Sequence, residues 1–143
     1  MSQNNKTFAI IKPDAIKNKL EGKIYNHIIE EQFEVVGLKK IHMSIEKAQD
    51  FYKIHEDKPF YEELTQFMSS GPCIVLALKK ENAVLEWRNT IGATNPNEAT
   101  EGTIRNLYAS SVGENAVHGS DSNDNANKEI SFFFKNSELI KNT

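Results

Sequence analysis

Residues 115–122 read Asn-Ala-Val-His-Gly-Ser-Asp-Ser, and they mark the junction between the last strand of the chain and its last helix. Ser122 is a favoured helix-capping type, and Ala126, Ile130, Phe133 and Phe134 follow at helical spacing, so an amphipathic helix opens here. The strand before it is short and ends at about Gly119. Glu129 lies three residues after Ala126 and four before Phe133, which puts it on the inward stripe, where a carboxylate is costly unless it has a partner. His118 stands just ahead of the helix and can be that partner, giving an imidazole oriented for nucleophilic or acid–base work. Taken alone, His118 reads as an ordinary histidine at a strand end.

Working back from this junction, the chain alternates strands and helices. Thr7–Lys12 reads as a central strand, with Phe8, Ile10 and Lys12 on one face and Thr7, Ala9 and Ile11 on the other. Pro13 ends it and Asp14 is placed to cap the next turn. Leu20, Ile24 and Ile28 define a helix. Val35–Ser44 is a second strand whose apolar parity slips between Leu38 and Ile41, which predicts a bulge or an end that twists out of the sheet. Ser44 caps a helix reaching His55, and a second helix carries Phe60 to Met68. Ser69-Ser70-Gly71-Pro72 breaks the chain before the apolar strand Cys73–Leu78. A helix from Asn82 to Ile91 turns Val84, Trp87 and Ile91 inward and stops at Gly92. Residues 93–117 are loop-rich, with a short helix around Thr103–Ala109, and a loop of that length in a compact domain points to function. After the last helix, Lys135–Thr143 reads as a polar tail. This order predicts an α+β fold, a ferredoxin-like α/β sandwich in which helices cover a four-stranded antiparallel sheet.

The 143 residues are expected to form one domain, 1–143. A net charge of -3 argues against broad binding to nucleic acid or acidic membranes, so an anionic ligand needs a local cluster of cations. One cysteine, Cys73, excludes a disulfide framework and suits a reducing cytoplasm. No leader pattern and no apolar run of membrane-spanning length are present.

Neither a G-x-x-x-x-G-K-[ST] loop nor a G-x-G-x-x-G turn occurs, and no paired histidine or cysteine spacing suggests a metal site built from protein side chains. The remaining donors, Lys12, Arg88, Thr94, Arg105 and Asn115, sit at element ends or in the loop-rich stretch. Gathered around His118, they would make a pocket for a polyphosphate facing an imidazole, which suits phosphoryl transfer. Tyr52 and Phe60, beside a polar turn, read first as core aromatics, and second as faces for a planar ligand.

AIIKPDA (9–15), KPFY (58–61), SGP (70–72), GATNP (92–96), GTIR (102–105), NAVHGSDS (115–122) and KEI (128–130) run in order along nearly the whole chain, which resembles the nucleoside diphosphate kinases, in particular the shorter, bacterial-type members. The resemblance implies ping-pong transfer of the terminal phosphate from a nucleoside triphosphate, typically ATP, to a diphosphate through a phosphohistidine at His118. It implies that Glu129 and Ser120 support the imidazole and the incoming phosphate, and that Tyr52 positions that phosphate. Lys12 and Asn115 would contact the sugar 3′-hydroxyl, with Lys12 also near the transferred phosphate. Arg88, Thr94 and Arg105 would bind the phosphate chain, and Phe60 and Val112 would sandwich the base. Mg²⁺ would be held mainly by the nucleotide's phosphates, and the chain would assemble from dimers into a tetramer or a hexamer.

Two positions depart from the family pattern. Ala15 stands where glycine is common, and Leu107 where aspartate is usual. A catalytically silent nucleotide-binding or regulatory module on the same fold would keep Phe60, Arg88 and Arg105 but could dispense with His118, Ser120 and Glu129, all of which are present. An RNA-binding sheet module is disfavoured by the acidic balance and the lack of a basic, aromatic-rich strand.

Overall fold

The apolar runs pair as antiparallel strands. In the computed structural model, which describes residues 5–140, they form one sheet of order β2-β3-β1-β4. β1 (Lys6–Ile11) is central, flanked by β3 (Cys73–Lys79) and by the short β4 (Val117–Gly119). β2 (Glu34–Ile41) pairs with β3 and forms the other edge. This is the ferredoxin-like α+β arrangement expected from the order of elements.

Because side chains alternate along a strand, β1 and β3 feed two cores at once. Phe8, Ile10, Val75 and Ala77 pack against α3 (Ile45–Phe51), α4 (Tyr61–Met68) and α7 (Asn123–Phe133). Ala9, Ile11, Leu76 and Leu78 pack against α2 (Glu21–Glu30), α5 (Ala83–Ile91) and α6 (Ile104–Tyr108). Cys73 is buried in the first core, and burial pushes its thiol up to about 12, so it behaves as a small apolar side chain. Ser44, Thr103 and Ser122 each accept the backbone N–H three residues on, as N-caps do.

Several local expectations are corrected. β1 ends at Ile11, so Lys12 leaves the ladder and becomes the N-cap of α1 (Pro13–Lys17), with Pro13 in the first helical position. Asp14 therefore caps nothing from outside that helix. The bulge in β2 falls at Val36, between the pairs Val35–Leu78 and Gly37–Ala77. The parity slip seen further on belongs to Leu38, which is an exposed residue on an edge strand and not a core residue out of phase. The helix after Ser44 ends at Phe51, with a separate 3₁₀ turn at Lys53–His55. Ala83, not Val84, is buried with Trp87 and Ile91 on α5. Lys135–Ile140 is no free tail. It holds a 3₁₀ turn, Asn136–Glu138, its Leu139 packs on the first core, and the Ile140 N–H donates to the Val36 carbonyl. Gly37 makes room for this return, since a Cβ there would lie 2.8 Å from Leu139. The last three residues of the predicted tail, 141–143, lie outside the described residues.

Candidate active site

The short strand β4 sits on the free side of β1, with His118 opposite Ile10 and Gly119 opposite Ala9. Facing residues in an antiparallel pair share a side of the sheet, so His118 projects over the first core, on the edge strand of the sheet. The rings of Phe8, Phe51 and Tyr52 approach the imidazole with centroids at 6.0, 5.6 and 6.4 Å. From the opposite face the Trp87 indole N–H donates to the His118 carbonyl at 3.0 Å. Trp87 reaches that close because residue 119 is glycine, where a Cβ would lie 2.8 Å from the indole.

Glu129, on the second turn of α7, completes the pair foreseen in the sequence. Its Oε1 lies 3.0 Å from His118 Nε2 and accepts the Ser120 hydroxyl at 2.7 Å. A carboxylate facing Nε2 favours the tautomer with its proton on that nitrogen, leaving the lone pair on Nδ1. The Tyr52 hydroxyl is buried with no hydrogen-bond partner among the described residues. Burial, and secondarily Glu129, raise the phenol above its ordinary value, so it stays a protonated donor.

The segment leading into β4 is held from two sides. Ala116 has φ +74°, and the Val117 N–H donates to the Asn115 carbonyl at 2.8 Å, which closes a γ-turn around a residue that is not glycine. On one side Arg105 spreads its guanidinium over three carbonyls: Nη1 to Gly92 at 2.9 Å, Nη2 to Val117 at 2.9 Å, and Nε to Asn115 at 3.3 Å. Burial, reinforced by Arg88, brings Arg105 down to about 10, which still leaves it charged at neutral pH. On the other side Lys12 donates from its backbone to the Ala116 carbonyl and from Nζ to Asn115 Oδ1, at 2.8 and 2.9 Å. Lys12 is only 8% exposed. It is no strand-end lysine reaching water. Burial and Arg105 bring its ammonium down to about 8, against an opposing pull from Asp14.

Two hollows open beside this segment. One, of about 520 Å³, is lined by Arg88, Thr94, Arg105 and His118; the other, of about 500 Å³, by Lys12, Thr94, Phe60, Leu64, Phe67 and Val112. Thr94 lines both. Phe60 and Val112, which are 47% and 53% exposed, offer apolar surface in the second. A third hollow of about 480 Å³, around Pro13, Lys17, Phe67 and Pro72, holds none of the residues singled out from the sequence. All eleven of those residues lie on the His118 constellation or on the two hollows. Sequence reading missed Trp87 as a support for the histidine backbone, and it missed Asp14. Trp87 was legible only as a core residue, and the partner of Asp14 is 102 positions away.

Leu107 is half exposed on α6, and none of its side-chain atoms takes part in the hydrogen bonds of this site. Ala15 is buried in the second core at a helical position that tolerates its methyl. Among the described residues no group of three or more His, Cys, Asp or Glu side chains is placed to hold a metal ion, and no helix is long and apolar enough to cross a membrane.

A carboxylate-oriented imidazole over a cation-lined cleft, on a ferredoxin-like sheet, defines a phosphotransferase. The family model for nucleoside diphosphate kinase matches residues 5–139. The chain belongs to the nucleoside diphosphate kinase family. It is 52% identical over 136 residues to the nucleoside diphosphate kinase of Persephonella marina, covering 95% of this chain and 97% of that protein, and equally so to that of Chlorobium chlorochromatii. Among solved structures, the Aquifex aeolicus nucleoside diphosphate kinase superposes with a TM-score of 0.93 at 39% identity, covering 95% of this chain and 99% of that one. The Halobacterium salinarum enzyme in complex with CDP gives 0.92 at 34%, covering 98% and 93%.

Proposed function

We propose that this chain, as one domain over residues 1–143, moves the terminal phosphate of a nucleoside triphosphate onto a nucleoside diphosphate through a phosphohistidine at His118. The observation that carries the reading is the Nε2 contact with Glu129, because it favours the tautomer that leaves the lone pair on Nδ1, in a side chain that lines the cleft. A donor triphosphate phosphorylates Nδ1 and departs as the diphosphate. A second diphosphate then takes the phosphoryl group by the reverse path, so one pocket serves donor and acceptor. Glu129 stabilises the imidazolium character that grows during transfer, and Ser120 holds Glu129 in place. Tyr52 offers its unpartnered hydroxyl to the phosphate near His118. Arg88, Thr94 and Arg105 take the phosphate chain, and Lys12 and Asn115 take the sugar 3′-hydroxyl, with Lys12 also near the transferred group.

The base would lie between Phe60 and Val112. Contact through ring faces and an aliphatic side chain does not read hydrogen-bonding edges, which suits one site for several bases. The CDP complex of the Halobacterium salinarum relative supports a nucleotide in this cleft. Phe60→Ala is expected to weaken binding of ADP, GDP, CDP and UDP by similar factors of about tenfold. Calorimetric titration of the four would show it, and a loss confined to one base would count against the sandwich.

Mg²⁺ fits as an ion carried in on the phosphates, since the hollow beside His118 is lined by Arg88, Arg105 and three threonines and by no carboxylate. It would neutralise phosphate charge during transfer. The test of the whole reading is to mix the protein with Mg²⁺ and γ-labelled ATP and seek acid-labile, base-stable protein phosphate that GDP removes as labelled GTP. A folded protein that binds nucleotide but takes no label would favour the silent-module reading.

Lys12 gives a pH prediction. Its ammonium, the form that contacts phosphate, is lost as pH rises through about 8 in the free enzyme. The value of kcat/KM should therefore fall on that alkaline limb. Bound phosphate favours the ammonium, so the limb of kcat should lie higher. Coincident alkaline limbs for kcat and kcat/KM would remove Lys12 from this role.

We also place the protein in the cytoplasm as a homo-oligomer, tetrameric or hexameric and built from dimers. Exposed apolar side chains such as Tyr25 and Ile29 on α2 and Leu38 on the edge strand support self-association. Light scattering would separate four subunits from six.

A further inference from the structure

We propose that Asp14 is a positioning residue for phosphoryl transfer, holding the Ala116 turn in its left-handed conformation so that Asn115, Lys12 and His118 stay in register. This rests on the roles assigned above to those three residues. Asp14 is buried, and its Oδ2 accepts the Ala116 N–H at 3.1 Å. The Ala116 carbonyl is fixed from the same turn, by the Lys12 N–H at 2.8 Å. Both backbone groups of Ala116 are thus bound to the β1–α1 turn, and this is the residue at φ +74°.

For an L-residue with a Cβ, that conformation is disfavoured and persists only where surrounding contacts over-determine it. Without the Asp14 carboxylate the Ala116 N–H would be buried and unpaired, and the turn could relax toward negative φ. Asn115 lies on one side of the turn, with its carboxamide on Lys12 Nζ, and Val117 and His118 lie on the other, paired to Ile11 and Ile10. A rotation at Ala116 therefore moves the carboxamide and the ammonium relative to the imidazole. That misalignment is felt in the transition state more than in ground-state binding. Asp14 lies outside the two nucleotide hollows, so it has no direct part in holding the ligand.

The test is a double-mutant cycle of Asp14→Ala and Ala116→Gly, with Asp14→Asn alongside, reading kcat and KM separately. Glycine adopts positive φ without penalty, so a turn carrying Gly at 116 needs no carboxylate to hold it there. In the parent background Asp14→Ala should lower kcat about tenfold or more while KM changes by less than about threefold. Measured against Ala116→Gly, the same substitution should cost less than about threefold in kcat. Asp14→Asn keeps one acceptor oxygen and should retain more activity than Asp14→Ala. Equal losses in the two backgrounds, or an asparagine no better than alanine, would overturn the proposal. If Asp14→Ala does not fold, the double variant decides: folded and active supports the proposal, whereas folded and inactive, or unfolded, overturns it. A parent enzyme that forms no phosphohistidine at His118 would instead overturn the site assignment, which is a separate outcome.

Discussion

His118→Ala should abolish transfer, lowering kcat by about 10⁴-fold or more, while leaving nucleotide affinity within about threefold of the parent. The first half follows because, among the described residues, no other side chain lining the hollow of Arg88, Thr94 and Arg105 carries an imidazole or another neutral nucleophilic nitrogen. Neighbouring Lys12 is engaged with Asn115, and Arg105 with three carbonyls. The second half follows because base and phosphate contacts are assigned to Phe60, Val112, Arg88, Thr94 and Arg105. Folding should survive, with a stability change within about 1 kcal/mol. Glu129 keeps its bond from the Ser120 hydroxyl and is partly exposed, so removing the imidazole strands no fully buried charge. The experiment pairs stopped transfer from labelled ATP with calorimetric binding of ADP. Residual turnover within tenfold of the parent, or binding lost together with activity, would sink the division of labour between nucleophile and binding groups.

Arg105→Ala should damage both stability and activity, and this is where the structure changes what the sequence suggests. Read from sequence, Arg105 is one phosphate ligand among several. In the fold it also donates to the carbonyls of Gly92, Asn115 and Val117, so it ties the end of α5, the γ-turn and the start of β4 together. Losing donors to buried carbonyls costs about 1–3 kcal/mol each. Two effects offset part of that: the buried cation is itself disfavoured, as its lowering to about 10 shows, and water can enter from the adjoining cleft. A net loss of about 3 kcal/mol, or about 10 °C in Tm, is the expected result. In activity, kcat/KM should fall about a hundredfold or more, since a phosphate contact disappears and the turn before His118 loosens. Arg105→Lys should recover part of the activity through its charge, but little of the stability, because an ammonium cannot reach three carbonyls in the geometry of a planar fork. Thermal unfolding and steady-state kinetics on the two variants check this. An Arg105→Ala protein as stable as the parent would show that the three bonds contribute nothing net.

Much of this was legible in the chain because it rests on local periodicity. The apolar runs of Thr7–Lys12 and Cys73–Leu78 placed two inner strands, since a strand buried on both faces is apolar at nearly every position. Capping serines and threonine placed the starts of three helices, because a cap is a contact between residues three apart. The pairing of His118 with Glu129 was legible for the same reason: a helix stripe predicts which face a carboxylate occupies, and the junction before the helix predicts what it meets.

What failed were inferences needing a partner distant in sequence. The bulge was misplaced because Leu38 looks like a core residue until β2 is known to be an edge strand. Lys135–Ile140 looked like a tail because its anchors, Val36 and the space left by Gly37, lie about a hundred residues earlier.

The sequence by itself determined the class of fold and the pairing of His118 with Glu129 through spacings of a few residues, while the roles proposed for His118 as nucleophile and for the surrounding cations came from the resemblance to the family. Only the tertiary structure decided that Lys12 is buried against Asn115, that Arg105 braces three carbonyls, and that Asp14 grips the backbone of Ala116. Those contacts join residues ten to a hundred positions apart, and chain closure over such distances leaves no periodic trace in the sequence.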